Sequence, residues 1–514
     1  MNALRQTSIL DRPEVSEDSG HVFRDCLILA LIVLVAVFDL FVIGLHSPLG
    51  TDDLMARISA QSTSLSSMLT LLRVQPVNVD APVFPILAFL SARLPLPIDI
   101  AISLPAVCGM CVAMIATFLL VRGWLGVSAG YLAAVMLTLT PYTDYGVSPR
   151  PYALLLGSVA LSVLCWAKAT GSSRRRRLWL VGFSFSTTLA LLTHYFAIFS
   201  HYFAIFSVLA VVLAEITRSL QKKKIDWPIW IALAISALIF LPVYAAFAPA
   251  GQPYRAHPFY PVRLSGLLAT YRDLFKSRLI LVAIAAASLL AAASGRPKKF
   301  QKPSISEWIL VLTLSLVPVL VFATGELYTH TYVERYGICA LLGVAILVAA
   351  LVSFIAGGTA RAILPGLAII FVLHQIPFVR LAREPVYSPK SLWPAKEPDV
   401  LRNNAELPLM TPDFDYAMRA KFYAPTWLSS RLIMVGSAQS MLRFKGTDAP
   451  TLAMLAIHRW TGWPMQDYES FIREHKRFLM YGEYWGLDAL KSDGAAIKQL
   501  QNVGPYHLYL VTLP

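Results

Sequence analysis

Charge is what this chain lacks most. Asp, Glu, Lys and Arg make up 14% of its 514 residues, where a soluble domain usually carries about 25%. That shortage excludes a wholly soluble protein. With 56% hydrophobic residues and a mean hydropathy of +0.60, the chain reads as a membrane protein with some soluble mass. Acidic residues are the scarcer sign, 30 against 44 basic, leaving a net charge of +14. The basic residues sit between apolar runs, which is the pattern of inner loops of a membrane protein, so no nucleic-acid partner is expected. Cysteine is nearly absent. The five present, Cys26, Cys108, Cys111, Cys165 and Cys339, lie in or beside apolar segments, so no disulfide framework is implied. Cys108-Gly-Met-Cys111 has redox-like spacing but, inside a span, reads as small-residue packing. The first apolar run also lacks a small-residue cleavage site, so it is expected to be a retained span behind a cytoplasmic tail, residues 1–25.

What is present is a series of long apolar runs. They fall at about 26–46, 99–121, 125–141, 151–168, 178–193, 195–214, 228–247, 279–294, 305–323, 336–356 and 362–378, several of them shorter than the roughly 20 residues of an untilted span. Clusters Arg174–Arg177, Lys222–Lys224, and Arg296 with Lys298, Lys299 and Lys302 orient the chain with these loops in the cytoplasm. The loops holding Asp52, Arg150, His194, Arg255 and Glu334 then all face outward, as does everything after Arg380. The proline-bearing stretch Pro82–Leu94 would break this parity if it crossed, so it is read as an interfacial or re-entrant helix. A tandem repeat, His194–Ser200 followed by His201–Ser207, advances a helix by close to two turns and preserves its face. From Glu384 onward strand-like runs (Leu407–Met410, Arg431–Gly436, Arg477–Gly482, His507–Thr512) alternate with helix-like ones (Phe414–Tyr423, Pro450–Trp460, Leu487–Gln501). That alternation predicts a small α/β domain.

Chemistry concentrates in the outer loops. Directly after the first span comes Gly50-Thr51-Asp52-Asp53, and two carboxylates at the mouth of a span are costly unless a polar site receives them. They also fit an ordinary helix start, with Leu54 opening an apolar run. The second outer loop carries Tyr142, Asp144, Arg150 and Tyr152; the third His194; the fifth Glu334, Arg335 and Tyr336. The fourth, Gly251–Arg278, is basic against expectation for an outer loop, with Arg255, His257, Arg263, Arg272, Lys276 and Arg278 against Asp273. Arginines at headgroup depth clamp phosphate, or attract anionic lipid headgroups in general. A carboxylate that deprotonates a hydroxyl, with arginines that stabilise a departing phosphate, makes a group-transfer site.

In order and placement these features resemble the GT-C superfamily of polyprenyl-phosphate-sugar transferases. Within it they are most similar to the protein O-mannosyltransferase-like family 39, which includes aminoarabinose and galacturonosyl transferases acting on lipopolysaccharide. The family's Asp-Glu pair in the first outer loop is matched by Asp52-Asp53, and its D-x-H-P-P-L-Y-Y stretch by Asn78–Pro85. E-A-R-P-Y-A-L is matched in part by Ser148-Pro149-Arg150-Pro151-Tyr152-Ala153-Leu154, L-T-H-Y-F by Leu192–Phe196, and a late R-Y by Arg335-Tyr336. Three departures stand out. Asp53 replaces a glutamate, Ser148 an acid and Asp80 a histidine.

The resemblance implies an α-helical polytopic GT-C-like protein of about 11–13 transmembrane helices, with a small C-terminal α/β extracytoplasmic domain. The transmembrane glycosyltransferase domain would span 26–380, with its first outer loop at 47–98, and the outer domain 381–514. The protein would sit multi-pass in a bacterial inner membrane. It would move a sugar from a polyprenyl-phosphate donor to a glycan, lipid or protein hydroxyl, with no metal or other cofactor. Asp52 and Asp53 are the catalytic candidates. Arg150, Tyr152, His194, Arg335, Tyr336, Arg255, Arg263 and Arg272 are candidates for donor phosphate or substrate, and Asp80 and Asp144 are secondary acids. A transporter or flippase, a polysaccharide polymerase or ligase, and a silent glycan-binding relative are the alternative readings.

Overall fold

The computed structural model describes residues 19–77, 81–171, 174–193, 203–258, 260–276, 303–355, 360–386 and 388–514. The expected span at 279–294 and most of the tandem repeat lie outside these. In chain order the first helices are α1 (Ser19–His46), α2 (Thr51–Ala60), α3 (Leu65–Val74), α4 (Val83–Ser91), α5 (Ile98–Leu125), α6 (Val127–Met136) and α7 (Tyr152–Thr170). They are followed by α8 (Arg176–Thr193), α9 (Phe203–Lys222), α10 (Trp227–Phe247), α11 (Leu264–Leu274), α12 (Ile305–Ser315), α13 (Val317–Thr324), α14 (Ala340–Ile355) and α15 (Ala360–Leu381). The chain divides into two compact units. One comprises Met1–Gly44, Asp80–Ala248 and Val262–Pro385; the other Leu45–Val79, Pro249–Pro261 and Val386–Pro514.

The first unit is helical and multi-pass. Five described helices are long and apolar enough to cross a membrane, and the pair α12–α13, bent by 51°, passes the same test taken together, as a broken span or a re-entrant loop. The bend follows from Pro318 at the start of α13, which cannot donate the backbone bond that would continue α12. The Pro82–Leu94 stretch forms α4, whose 9 residues are too few to cross a bilayer.

α7 is the central helix, with 89% of its apolar window buried in protein. It lies against α5 at near backbone contact: a Cβ on Gly157 would sit 2.3 Å from the Gly109 carbonyl oxygen. Lipid supplies no hydrophobic drive for helices to associate, so close approach through small residues does that work. Within the Cys108–Cys111 stretch the packing role falls to Gly109, while Cys108 is exposed and Cys111 half-buried. At one end of the bundle Glu215, fully buried on α9, accepts from Trp166 Nε1 at 3.0 Å and from Arg218 Nη2 at 2.7 Å. Arg218 also reaches Asp226 at 2.7 Å, and Arg176 pairs with the same aspartate. Buried charge is tolerated there because each member is paired and hydrogen-bonded.

The second unit is built on a six-stranded sheet. Its elements are β1 (Leu409–Thr411), α16 (Phe414–Tyr423), β2 (Leu432–Gly436), α17 (Ala438–Lys445), α18 (Ala449–Thr461) and β3 (Met465–Asp467). Then come α19 (Tyr468–Glu474), β4 (Arg477–Tyr481), α20 (Tyr484–Ser492), β5 (Ala496–Val503) and β6 (Tyr506–Thr512). The order is β3-β2-β1-β4-β6-β5, with β3, β2, β1 and β4 parallel and the β5–β6 hairpin antiparallel at one edge. Period-2 alternation feeds two cores. Leu409, Leu432, Met434 and Leu479 face one set of helices, while Met410, Val435, Phe478 and Met480 face the other. This is the expected small α/β domain, held without cysteine by burial on both faces of its sheet.

Local assignments differed in places. The run Leu487–Gln501, expected as helix, is the end of α20 followed by β5. β5 is an edge strand with mostly exposed, polar residues, so it carries no apolar alternation to read. β3, α17 and α19 were also not foreseen, each being 3 to 8 residues long.

Gly157→Val forces α5 and α7 apart and is expected to lower the melting temperature of the purified protein, at about 1–3 kcal/mol for an overpacked contact. An unchanged melting curve in detergent refutes the contact.

Candidate functional site

Two polar clusters contain the candidate residues, one in each unit. In the helical unit the chain leaves α6, makes a turn over Pro141–Gly146, and enters α7 through Pro149-Arg150-Pro151. The prolines on either side hold Arg150 out of a helix and set the first turn of α7. The arginine is 5% exposed. Its guanidinium carbon stands 5.8 Å from the centre of the Tyr152 ring, and that of Arg335 stands 5.9 Å from the same ring. Tyr145 packs edge-on against Tyr152 at 4.9 Å. Tyr142 Oη donates to the Glu334 carbonyl at 2.9 Å, tying the turn before α7 to the turn that carries Arg335.

Two guanidinium groups on one aromatic ring gain from cation–π attraction, about 0.5–2 kcal/mol each depending on desolvation, but their like charges repel. A bidentate anion answers both, since the planar fork of arginine matches phosphate oxygens. Tyr336 is buried beside Arg335, and its ring belongs to the interior. Arg263 and Arg272 are exposed residues at the start and last turn of α11, and Arg272 pairs with Asp273 at 3.3 Å. Asp144 is exposed on the turn before Arg150. His194, Asp80 and the side chain of Arg255 lie outside the described residues.

In the α/β unit, Asp52 and Asp53 occupy the first turn of α2. The Asp53 carboxylate reaches back to accept from the Gly50 N–H at 3.0 Å. The capping role thus falls to Asp53, and a carboxylate at this end of a helix is also favoured by the helix dipole. α2 is held from below, where Leu54, Met55 and Ile58 are buried in the same core as Ala417 and Met418 of α16. Arg57 lies 5.1 Å over the Phe422 ring. The segment after α3 is tied to the same unit by Trp460 Nε1, which donates to the Gln75 carbonyl at 2.8 Å. The segment 249–261 is tied by Thr447 Oγ1, which donates to the His257 carbonyl at 2.7 Å.

Asp52 lies close enough to Asp415 to matter electrostatically. Burial first, and then the Asp52 charge, push the Asp415 carboxyl up, against the pull of Arg419 at 3.0 Å. The neighbouring Asp413 is 8% exposed and caps α16 by accepting from the Tyr416 N–H at 3.0 Å. Burial pushes its carboxyl up to about 6, the bond to the Tyr416 N–H opposing the rise. Tyr145, Asp413 and Asp415 were not singled out from sequence. The available signals were the Tyr142-x-x-Tyr145 spacing and the polar run Thr411-Pro412-Asp413-Phe414-Asp415 at the carboxyl end of a strand.

Among the described residues no three His, Cys, Asp or Glu side chains gather as a set of metal ligands.

Comparison with known proteins bears on both units. Residues 78–245 match the family described as dolichyl-phosphate-mannose-protein mannosyltransferase. No curated protein sequence matches the chain. Among solved structures, the chain is similar to ArnT from Cupriavidus metallidurans bound to undecaprenyl phosphate. The TM-score is 0.55 at 12% identity, over 96% of this chain and 98% of that one. The apo state of the same ArnT gives 0.55 at 13% identity, with the same coverage. The Archaeoglobus fulgidus oligosaccharyltransferase tethered to an acceptor peptide gives 0.46 at 11% identity, over 84% and 68%. The fold is therefore similar to that of ArnT.

Asp413 gives a pH test of the α/β unit. Its folded value, about 6, lies above the model-peptide 3.8, so the folded state binds the proton more tightly. The stability it contributes is present below about pH 4 and lost as pH rises through about 6, up to about 3 kcal/mol. Asp413→Asn is expected to flatten the dependence of melting temperature on pH over that window, and a variant with the wild-type slope excludes this assignment.

Proposed function

We propose that the protein transfers a sugar from a polyprenyl-phosphate donor to a hydroxyl acceptor at the outer face of a bacterial inner membrane. The observation that carries this reading is the pair Arg150 and Arg335 on the Tyr152 ring. It is supported by the likeness in fold to an ArnT bound to undecaprenyl phosphate and by the family match over 78–245.

In the proposed reaction Asp52 takes the proton of the acceptor hydroxyl. The acceptor oxygen attacks the anomeric carbon from the face opposite the phosphate, in a single inverting displacement. The new glycosidic bond forms as the bond from the anomeric carbon to the phosphate oxygen breaks. The electron pair leaves with that oxygen, giving a polyprenyl phosphate whose second negative charge Arg150 and Arg335 stabilise. The leaving group departs already as a stable phosphate, so the charge it gains is one that arginines can meet directly.

Asp53 holds the loop that carries Asp52, through the Gly50 N–H. Arg255, Arg263 and Arg272, together with His194, are assigned to donor or headgroup binding, while Tyr336 packs in the interior beside Arg335. Asp80 and Asp144 stand as secondary acids, Asp144 being the substitute for the acid that Ser148 replaces. The acceptor class extends over lipid, glycan and protein hydroxyls.

The test is release of polyprenyl phosphate from undecaprenyl-phosphate-linked pentose, hexose and uronate donors by the membrane-inserted protein. Asp52→Asn is expected to reduce release about 10²–10⁴-fold, the range for loss of a general base. Wild-type turnover by correctly inserted Asp52→Asn protein would sink the assignment of the base.

A further inference from the structure

The sheet of the α/β unit has a topological switch point that none of these roles uses. From β1 the chain passes through α16 to β2 on one side, whereas β4 lies on the other side of β1 and leads into α20. The loops leaving the carboxyl ends of β1 and β4 therefore run in opposite directions. In open α/β sheets such a divergence leaves a crevice at the strand ends, and ligands bind there.

The side chains at this point are carboxylates and phenols. After β1 stand Asp413, Asp415 and Tyr416; after β4 stand Glu483 and Tyr484; Tyr506 opens β6. The Tyr416 ring stacks on that of Tyr506 with centroids 3.7 Å apart. It also lies against Gly482, where a Cβ would come within 2.1 Å of the ring, so the turn after β4 must have no side chain at that residue. This stack fixes where the Tyr416 and Tyr506 hydroxyls project. All three tyrosines are half-buried, and among the described residues none of their hydroxyls has a hydrogen-bond partner. The carboxylates are held in place: Asp413 by the Tyr416 N–H, Asp415 by Arg419, and Glu483 by the Tyr509 hydroxyl, with His507 3.8 Å away. Thr51, next to Asp52, contributes a buried hydroxyl that likewise lacks a partner among the described residues.

Phenolic hydroxyls both donate and accept, and carboxylates accept. A surface of the two recognises a ligand rich in hydroxyl groups. Asp52 acts on Asp415, and Asp413, Asp415 and Glu483 all act on Tyr416; with Arg419 and His507 standing beside two of them, four carboxylates against one arginine and one histidine disfavour a negatively charged ligand. We infer that the β1–β4 switch point is a subsite for a hydroxyl-rich sugar without negative charge, holding the acceptor for Asp52. The acceptor assignment rests on the proposed function; the binding of such a sugar does not.

Saturation-transfer NMR on the full-length protein in nanodiscs reads binding without turnover, with glucose, glucosamine and glucuronate as probes. Glucose and glucosamine are expected to give signals that fall about tenfold in Tyr416→Phe/Tyr484→Phe, which keeps both rings and removes two hydrogen-bonding hydroxyls. Glucuronate is expected to give none. Failure of glucose to bind the wild type, equal binding by the double variant, or glucuronate binding as glucose does would each overturn the subsite. If turnover is absent in every protein while sugar binding follows this pattern, the proposed reaction fails and the subsite stands.

Discussion

Burial of Leu54, Met55 and Ile58 under α2 is the contact on which the acidic cluster depends. A helix of 10 residues is marginal in water by itself, because nucleation costs more than so few backbone bonds return. Each large apolar side chain taken from water contributes about 1.5–3 kcal/mol, so the core shared with α16 decides whether α2 exists at all. Asp52 and Asp53 sit in its first turn, and their directions follow from the helix axis that this core sets. The reach of Asp53 to the Gly50 N–H then closes the one end that packing leaves open.

The charges of the proposed site are divided between the two units. Arg150 and Arg335 belong to the helical unit, held by a tyrosine ring; Asp52, Asp413, Asp415 and Glu483 belong to the α/β unit. Guanidinium and carboxylate groups gathered on one element tend to satisfy each other as ion pairs, as Glu215, Arg218 and Asp226 do. Such a pair is structurally sound and chemically quiet.

The sequence was informative where one physical signal dominated. Long apolar runs marked the helices, and short continuous apolar runs marked β1, β2, β4 and β6, because both faces of those strands are buried. β5 escaped notice because an exposed edge strand needs no apolar residues, and α17 and α19 because so few residues hold little periodicity. For the candidate site, Arg150, Tyr152 and Arg335 were legible from local motifs, and the structure brings them to one ring. What local pattern does not carry is which distant segments share a core. Gln75, His257, Phe422 and Trp460 say nothing in sequence about belonging to one body. The acids around Tyr416 were missed for that reason, since a switch point is a property of strand order.

The α/β unit is assembled from three stretches, Leu45–Val79, Pro249–Pro261 and Val386–Pro514, and this sets a schedule for its biogenesis. Roughly 300 residues separate the first stretch from the last, on the order of 15–60 s of synthesis at ordinary elongation rates. Throughout that interval the apolar side of α2 has no core to enter, and the sheet that supplies it is still to be translated. The loop bearing Asp52 is thus among the first parts to emerge and among the last to become ordered. Its period of greatest exposure to proteases and to wrong partners lies before the chain is finished, and a chain cut short near its end loses the shape of a loop made hundreds of residues earlier.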